Sequence, residues 1–416
     1  MFEATLNESQ ARLHKMLLAG VAGLMLVGFA FVYSATMVND PTGVLQQFHD
    51  LSFTDFLGWL WGKMFFKQFV WYALGIGVAL TLGFVDYRTL SRFSIIAYWG
   101  SILLLVAVLI PGIGTTKGWG AMRWIDLGPF QCQPSEFAKL AFIVVMAHFL
   151  SRPLEELRQP VLFWKATGMI LLPFALIMKE PDLGSAIVFV PVWFAMLLVA
   201  GVPRRFLVRL VAVVAVVGAL FLVDVLFAPP GWQIKLHEYQ RQRLLVYFGI
   251  DFAQANATPK QKAEARQLQE AKTYQGKQAL ISVGSGGVLG KGWLQGDQTS
   301  LGFLPRDAAH NDFIFSVIAE ESGFLGSIIV LTLYGGVLFS GIRIAGQARD
   351  RLGKLMAVGV VALIFSHVFI NIGMNIRLMP VTGVPLPLLS YGGSSVLVSL
   401  IAMGLLHNVH TYRRTY

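Results

Sequence analysis

One acidic residue, Asp312, opens a long apolar helix pattern in the stretch AAHNDFIFSVIAEESGFLG, residues 308–326. A charge at the edge of an apolar span is costly unless it is paired or solvated, so such residues are often functional. A carboxylate half removed from water has a raised pKa, which suits a general base that takes a proton from an attacking hydroxyl group. Aspartate is also a favoured capping residue. The residues alone therefore leave open whether Asp312, or its neighbour Asn311, does chemistry or caps the helix.

Further polar residues lie beside apolar runs in the segments KGWGAMRWIDLGPFQCQPSEFAKL, MKEPDLGSA and NIGMNIRLMPVTGVPLPLLSYGGSS. The candidate site residues that they contribute are Lys117, Arg123, Glu136, Lys139, Asp182, Arg377, Ser390 and Ser394. Pro and Gly break helix geometry in the last segment, which is tolerated at membrane depth only where the backbone faces protein or water. We therefore expect a shared polar cavity.

Two spacings allow simpler interpretations. Glu136 and Lys139 are one helical turn apart, so they are equally consistent with an ion pair inside one helix. Ser316 and Glu320 follow Asp312 at four-residue steps and are predicted to share a helix stripe with it. Glu320 is expected either to orient the site or to pair with a neighbouring helix.

The elements that must position these residues are transmembrane helices. The chain is 55% hydrophobic and only 13% charged, with a mean hydropathy of +0.63. Apolar runs of about 20 residues, long enough to cross ~30 Å of hydrocarbon, recur along it. About ten such runs predict an all-α polytopic integral membrane protein. The predicted spans lie near residues 16–36, 68–86, 94–112, 137–151, 165–179, 184–201, 206–228, 313–341, 355–375 and 386–406.

Lysine and arginine set the expected orientation of the spans. Most of those in short connecting segments fall on the cytoplasmic side if both termini are cytoplasmic. Residues 229–311 then form one large extracytoplasmic loop between the seventh and eighth helices. The net charge of +10 mostly anchors the cytoplasmic surface to anionic membrane lipids, and no charged run resembles a nucleic-acid-binding arm. The first span is too long for a signal peptide and is expected to be retained.

Six motifs follow one another along the chain: RWIDLG, QPSEFAKL, PDLGSA, GSGGVLGKGWLQG, FLPRDAAHNDFIFSVIAEE and MPVTGVPLPLLSYGGSS. Together, between Lys15 and His407, the chain resembles the SEDS family of cell-wall synthesis proteins, which has elongation, division and sporulation branches. The segments GKGWLQG and NIRLMPVTGVPLP are more similar to the elongation branch, typified by RodA, than to the division branch, typified by FtsW.

The resemblance implies a single membrane domain over residues 1–416 in the bacterial cytoplasmic membrane. It implies a peptidoglycan glycosyltransferase that polymerises lipid II on the extracytoplasmic side during cell elongation. Asp312 occupies the position of the family's essential carboxylate, and Glu136 and Lys139 those of its Q-P-x-E-x-x-K motif. Expected partners are a class B penicillin-binding protein, which is the transpeptidase, and other cell-wall elongation proteins. Asn311 replaces an expected threonine, and residues 253–272 resemble an insertion.

In the implied reaction, Asp312 is the base and diphosphate is the leaving group, which needs positive charge rather than a second carboxyl group. The cations expected to supply it are Lys117, Arg123, Lys139 and Arg377. The cofactor is unknown from the sequence, which leaves room for a divalent cation, Mg²⁺ or Mn²⁺. A single displacement predicts inversion at the sugar carbon. A lipid II flippase remains the alternative, since helices with buried charges also suit a transporter.

Overall fold

The computed structural model describes residues 14–37, 53–116, 122–128, 131–227, 238–250, 252 and 259–413, and these are mostly helical. The helices of the first half are α1 (Lys15–Met37), α2 (Phe53–Gly62), α3 (Met64–Leu82), α4 (Tyr87–Arg92), α5 (Ser94–Val108), α6 (Pro134–Leu150), α7 (Leu154–Leu157), α8 (Pro160–Lys179) and α9 (Leu183–Ala200). Those of the second half are α10 (Arg204–Phe227), α11 (Glu238–Phe248), α12 (Pro259–Ser285), α13 (Asp297–Ser300), α14 (Arg306–Ala309), α15 (Ile314–Gln347), α16 (Arg351–Asn375) and α17 (Gly393–Tyr412).

Eight helices within the described ranges are long and apolar enough to cross a membrane, namely α1, α3, α8, α9, α10, α15, α16 and α17. Two shorter helices, α5 with 15 residues and α6 with 17, stand at the third and fourth predicted positions. The order of these ten helices matches that of the predicted spans. The prediction of an all-α polytopic membrane protein is therefore confirmed.

The largest shifts at a helix end occur in two of the predicted spans, the last and the eighth. The last was expected from residue 386, but α17 begins at Gly393, because prolines at 385 and 387 lack the amide hydrogens that a helix needs. The eighth span corresponds to α15, which has 34 residues and is broken at Gly323, where φ is 66° and ψ is −160°. These dihedral angles favour glycine, since a side chain is strained at this φ.

The predicted large loop, residues 229–311, contains ordered helices where the structure describes it. Within it, α12 runs from Pro259 to Ser285, includes most of the predicted insertion and packs against α15. Residues 253–258, the start of the predicted insertion, lie outside the described residues. The helices α13 and α14 then lead to Asp312.

A small antiparallel sheet accompanies the helices at the end of the bundle that carries Asp312. Its strands are β1 (Gly114–Thr115), β2 (Trp124–Asp126) and β3 (Gln131–Cys132), in that order. Ile125 pairs with Gly114 on one side and with Cys132 on the other. The sheet leads directly into α6, and Arg123 immediately precedes β2.

The buried core lies among the central helices. Helix α15 packs against α1 and α16, α16 also packs against α6 and α9, and α17 packs against α3. Two thirds of the apolar window of α16 is buried, compared with 6% of that of α10. The candidate site is therefore built on the tightly packed helices, whereas few side chains of other helices cover α10.

Candidate active site

A cavity of about 1050 Å³ lies at the end of the bundle where α15 begins. Charged residues from distant parts of the sequence line it, namely Lys67, Arg123, Asp182, Arg243, Asp307, Asp312 and Arg377. Four of these, Arg123, Asp182, Asp312 and Arg377, are site residues predicted from the sequence. The structure thus brings together the polar ends of segments that are up to about 250 positions apart in the chain.

Asp312 lies in the turn between α14 and α15. Its carbonyl oxygen accepts hydrogen bonds from Nδ2 of Asn371 at 3.0 Å and Nδ2 of Asn375 at 3.2 Å, both on α16 and both buried. The N-cap residue of α15 is Phe313, and no side chain caps the helix there. Among the described residues, none donates a hydrogen bond to the Asp312 carboxylate. The observed geometry therefore gives no support to a capping role, and the carboxylate is available to the cavity.

The same turn is fastened to the segment that precedes α17. Oγ of Ser390 donates to the carbonyl oxygen of Asn311 at 2.6 Å and accepts from the amide of Leu386 at 2.8 Å. The amide of Tyr391 donates to the carbonyl oxygen of His310 at 2.9 Å. Ser390 is 1% exposed and does not line the cavity. Its hydrogen bonds support the Asp312 turn, and its predicted role in substrate binding stays a prediction.

The surroundings of Asp312 suit its carboxylate to act as a general base. Burial raises the pKa of its carboxyl group to about 6. The positive charges of Arg243 and Arg123 lower that pKa, whereas the negative charge of Asp182 adds to the increase. At neutral pH the group is therefore mostly ionised, yet it binds a proton more tightly than an exposed aspartate does.

Arg123 is held by the turn between α8 and α9. Its Nε donates to the carbonyl oxygen of Glu180 at 3.2 Å, and its Nη2 donates to that of Pro181. The Glu180 side chain is fully buried, and burial, together with the charge of Asp182, raises the pKa of its carboxyl group to about 9. Glu180 is therefore neutral at pH 7, and the guanidinium of Arg123 keeps a net positive charge beside Asp312.

Asp182 joins α9 to the segment before α6. Its Oδ1 accepts from the amide of Ser185 at 3.1 Å, which caps α9, and its Oδ2 accepts from Nε2 of Gln133 at 3.2 Å. The amide of Gln133 donates to Oγ of Ser394, which in turn donates to the carbonyl oxygen of Gln131. Ser394 is 4% exposed and does not line the cavity. It therefore fixes α6 against α17, whereas Asp182 reaches the cavity.

Glu136 and Lys139 form a buried ion pair, as their spacing allowed. Nζ of Lys139 lies 2.7 Å from Oε1 of Glu136, and each side chain is 2% exposed. The same Nζ lies 3.0 Å from Nε2 of His367, whose Nδ1 lies 3.3 Å from the carbonyl oxygen of Pro385. Neither Glu136 nor Lys139 lines the cavity, whereas Pro385 does. The pair thus supports the cavity wall through His367, and substrate binding by either residue stays a prediction.

Ser316 and Glu320 face away from the cavity. Oγ of Ser316 donates to Oδ1 of Asn375 at 2.6 Å and so fixes one of the amides that hold Asp312. Glu320 is fully buried and pairs with Lys291, at 2.6 Å between Nζ and Oε1. Asp312 precedes the helix, so the predicted stripe does not continue to it. Glu320 binds the large loop rather than orienting the site.

Of the predicted cations Arg377 and Lys117, the structure describes only Arg377. Arg377 lines the cavity with an exposed side chain, just after α16, at a φ of 58°. Lys117 lies outside the described residues.

Arg243 on α11 is a cavity residue that the sequence did not single out. Its Nη1 donates to the carbonyl oxygen of Thr382 at 3.2 Å, and its charge acts on the pKa of Asp312. Cations in the long loop carry no weight in the orientation rule, and no short motif distinguishes this one. The polar pair Asn371 and Asn375, four residues apart on α16, was visible in the sequence but gave no indication that both amides bond one carbonyl group.

The expectation of a divalent cation stays a prediction. Within the described residues no group of three or more His, Cys, Asp or Glu side chains is arranged to hold a metal ion. Asp182 and Asp312 both line the cavity, and Mg²⁺ often takes only one or two protein carboxylates and completes its shell with phosphate and water. The donor set therefore fits a cation that arrives with a diphosphate better than one held by the protein alone.

One known protein family matches the part of the chain that forms this fold and cavity. The family model of cell cycle proteins that covers FtsW, RodA and SpoVE matches residues 14–415, which is nearly the whole chain. The chain belongs to the SEDS family. The resemblance inferred from the six motifs is thereby confirmed, and the cavity around Asp312 is the cavity of a SEDS protein.

Named SEDS relatives come from more than one branch. Peptidoglycan glycosyltransferase MrdB of Escherichia coli (strain K12) is 36% identical, over 82% of this chain and 84% of its own. Probable peptidoglycan glycosyltransferase FtsW of Geobacter metallireducens is 33% identical, over 99% and 97%. A chain in a solved peptidoglycan synthase complex is 28% identical with a TM-score of 0.72, over 96% of this chain and 98% of its own. Overall identity therefore does not separate elongation from division.

Proposed function

We propose that this SEDS protein is a peptidoglycan glycosyltransferase that polymerises lipid II, with Asp312 as its general base. The observation that carries the proposal is the half-buried carboxylate of Asp312, which lines a large polar cavity beside Arg123 and Arg243. The similar proteins MrdB and FtsW are named peptidoglycan glycosyltransferases, which supports the same reaction. The Lys and Arg distribution supports a cavity that opens on the extracytoplasmic side of the bacterial cytoplasmic membrane.

The proposed reaction is a single displacement. Asp312 takes the proton of the 4-hydroxyl group of one sugar. The oxygen of that hydroxyl group attacks C1 of the next sugar, and the bond from C1 to the diphosphate breaks. The electron pair of that bond leaves with the diphosphate, so no carboxylic acid is required to protonate the leaving oxygen. Attack from the opposite face inverts the configuration at C1. A pKa of about 6 keeps Asp312 ionised at neutral pH and still basic enough to take part.

Arg123 and Arg243 are proposed to stabilise the leaving diphosphate. Both line the cavity with Asp312, and both act on its pKa, which places their positive charge close to the reacting end of the substrate. Lys67 and Arg377 line the same cavity and add further positive charge. Preorganised cations of this kind stabilise the charge that develops in a transition state without later rearrangement.

The cellular role is proposed to be elongation, with a class B penicillin-binding protein as the transpeptidase partner. The RodA-like segments GKGWLQG and NIRLMPVTGVPLP support the elongation branch. The similar chain from a peptidoglycan synthase complex that coordinates polymerization and crosslinking supports a partner of this kind. Depletion in a rod-shaped host is expected to produce wide or round cells that still divide. Filaments of normal width would instead assign the protein to division.

The test of the reaction is polymerisation of labelled lipid II by the purified protein and its transpeptidase partner, with glycan products resolved on a gel. Wild type is expected to give polymer and a folded Asp312→Asn variant none. Asp307→Asn is a matched control, because it removes a carboxylate from the same cavity that does not influence the pKa of Asp312. It is expected to retain polymerisation. Equal polymer from wild type and Asp312→Asn would remove Asp312 from the mechanism.

The flippase alternative predicts a different result in the same preparation. It requires lipid II to cross vesicles that contain the protein while no polymer forms. The cavity-lining charges gather at one end of the helices, whereas alternating access places a binding site near the middle of the membrane. This arrangement favours the transferase.

A further inference from the structure

The glycine-rich loop after α12 pairs with the break in α15. At Gly323 the helix stops being helical, so carbonyl groups before the break lose their partners within the helix. The amide of Lys291 donates to the carbonyl oxygen of Glu320 at 3.0 Å, and the amide of Gly292 donates to that of Glu321 at 3.0 Å. The loop thus bonds carbonyl groups that the break leaves free.

The pairing is reciprocal on the other side of the break. The amide of Phe324 donates to the carbonyl oxygen of Gly287 at 2.9 Å, and the amide of Leu325 donates to that of Val288 at 3.1 Å. A Cβ atom at Gly323 would collide with the amide nitrogen of Gly290, so the two backbones approach too closely for a side chain. Four hydrogen bonds therefore bond backbone groups on both sides of the break. This is the condition under which irregular backbone is tolerated inside a membrane.

The carboxylates of Glu320 and Glu321 are buried, and each has partners within the protein. Oε1 of Glu320 binds Nζ of Lys291 at 2.6 Å, and its Oε2 accepts from Oγ of Ser282 at 3.0 Å. Asp297 adds a second contact to Nζ of Lys291 at 3.0 Å. Oε1 of Glu321 accepts from Oγ of Ser34 on α1 at 2.5 Å. Lys291, the one cation between residues 286 and 298, is thus paired with two carboxylates, of which that of Glu320 is buried and that of Asp297 is exposed.

The glycine-rich loop contacts α1 well before the C-terminal end of that helix. Nε1 of Trp293 donates to the carbonyl oxygen of Ala30 at 3.2 Å, and its ring stacks on that of Tyr33 with 5.8 Å between centroids. Ala30 precedes Met37, the last residue of α1, by seven positions, which is about 10 Å of helix. Trp293 and Tyr33 are also the residue types that gather at the membrane interface. The loop therefore lies level with the outer turns of a membrane-spanning helix.

The outward side of this pairing is apolar. Val288 is 64% exposed and Leu289 is 77% exposed, and on the α15 side Phe324 and Leu325 are 60% and 48% exposed. Trp293 is 51% exposed beside them. An apolar surface with a bonded backbone and a paired lysine, at the depth of a spanning helix, matches the hydrocarbon of a bilayer.

We propose that residues 287–293 form a re-entrant segment that lies in the membrane leaflet on the cavity side, where Val288 and Leu289 contact lipid acyl chains. The buried carboxylates of Glu320 and Glu321 hold the segment at this depth. The segment leads through α13 and α14 to the Asp312 turn, so it also sets the level of the candidate base relative to the membrane. The proposal does not depend on the proposed reaction.

The test is the accessibility of single spin labels in the full-length protein, reconstituted in phospholipid vesicles. The chain has one cysteine, Cys132, so Cys132→Ser gives the background for each variant. Leu289→Cys tests the segment. Val213→Cys on α10, 58% exposed within a span, is the lipid control, and Arg266→Cys, exposed on α12, is the water control. Power saturation with oxygen reports contact with hydrocarbon, and a water-soluble nickel chelate reports contact with water.

The label of Leu289→Cys is expected to match that of Val213→Cys, with strong relaxation by oxygen and little by nickel. Relaxation by nickel as strong as in Arg266→Cys would place the loop in water and overturn the proposal. Shielding from both reagents would mean that protein covers the surface, and that result would overturn it as well. Polymerisation is not part of the readout, so failure here and failure of the proposed reaction are distinguishable.

Discussion

Polymerisation by the wild-type protein is expected to fall about tenfold between pH 7 and pH 5 if Asp312 is the base. Burial raises the pKa of this carboxyl group to about 6. A group with that pKa is about 90% ionised at pH 7, half ionised at pH 6 and about 10% ionised at pH 5. Only the ionised form accepts a proton, so the rate follows these fractions and decreases as the pH falls through 6.

The assay measures initial rates of glycan formation from labelled lipid II between pH 5 and pH 8, with lipid II well below its KM, because the rate then reports the pKa of the substrate-free protein. The unfolding temperature is recorded at each pH, so that loss of folded protein is not mistaken for protonation of Asp312. Residual activity of an Asp312→Asn variant, if measurable, is expected to be independent of pH. A half-activity point near pH 4, the value of an exposed aspartate, would refute the reasoning, as would a flat profile.

Three further changes test the surroundings of the site. Arg243→Gln removes the largest charge that lowers the pKa of Asp312, so the half-activity pH is expected to rise; an unchanged midpoint in the same assay would show that the two groups do not interact. Glu180→Gln is expected to keep the wild-type rate and unfolding temperature, because burial raises the pKa of Glu180 to about 9 and the carboxyl is already neutral at pH 7; a marked loss of either would indicate an ionised group. Lys139→Met is expected to lower the free energy of unfolding by about 3–5 kcal/mol, because Glu136 is left as a buried unpaired charge. Unfolding in detergent measures this loss, and a double variant that adds Glu136→Gln is expected to recover most of it; no recovery would argue against the pair.

The spans were predictable because each is a long apolar run, and hydrocarbon imposes that pattern on any helix that crosses it. The Glu136–Lys139 pair was also visible, since its spacing is local. Asp312 could be singled out because a charge at the edge of an apolar span is unusual. These features depend on a few neighbouring residues, and the sequence displays them directly.

Contacts between distant segments were not predictable. Ser390 and Ser394 were singled out as substrate-binding candidates, and no sequence pattern indicated that they bond backbone groups from segments 79 and 263 positions away. Nothing in the sequence distinguishes Arg243 from the other cations of the large loop. Only the position of α11 in the structure places it near Asp312. Glu320 was expected to orient the site or to pair with a neighbouring helix, and only the break at Gly323 and the return of the loop explain why its partner is Lys291. In each case the decisive partner lies far away in sequence.

The isolation of α10 has a consequence for how its sequence can vary. Only 6% of its apolar window is buried within the protein, so we expect bilayer lipid, rather than side chains of this chain, to surround most of this helix. A saturation mutagenesis profile of α10 is expected to be flat among apolar residues and to drop sharply for a charge, which costs about 2.5–3.5 kcal/mol at the centre of a span. Helix α16 presents the opposite case, because a Cβ atom at Gly359 would lie 2.6 Å from the side chain of Ile143. Relatives can therefore diverge along α10 by exchanging one apolar residue for another. Along α16, by contrast, substitutions must preserve close packing against the neighbouring helices.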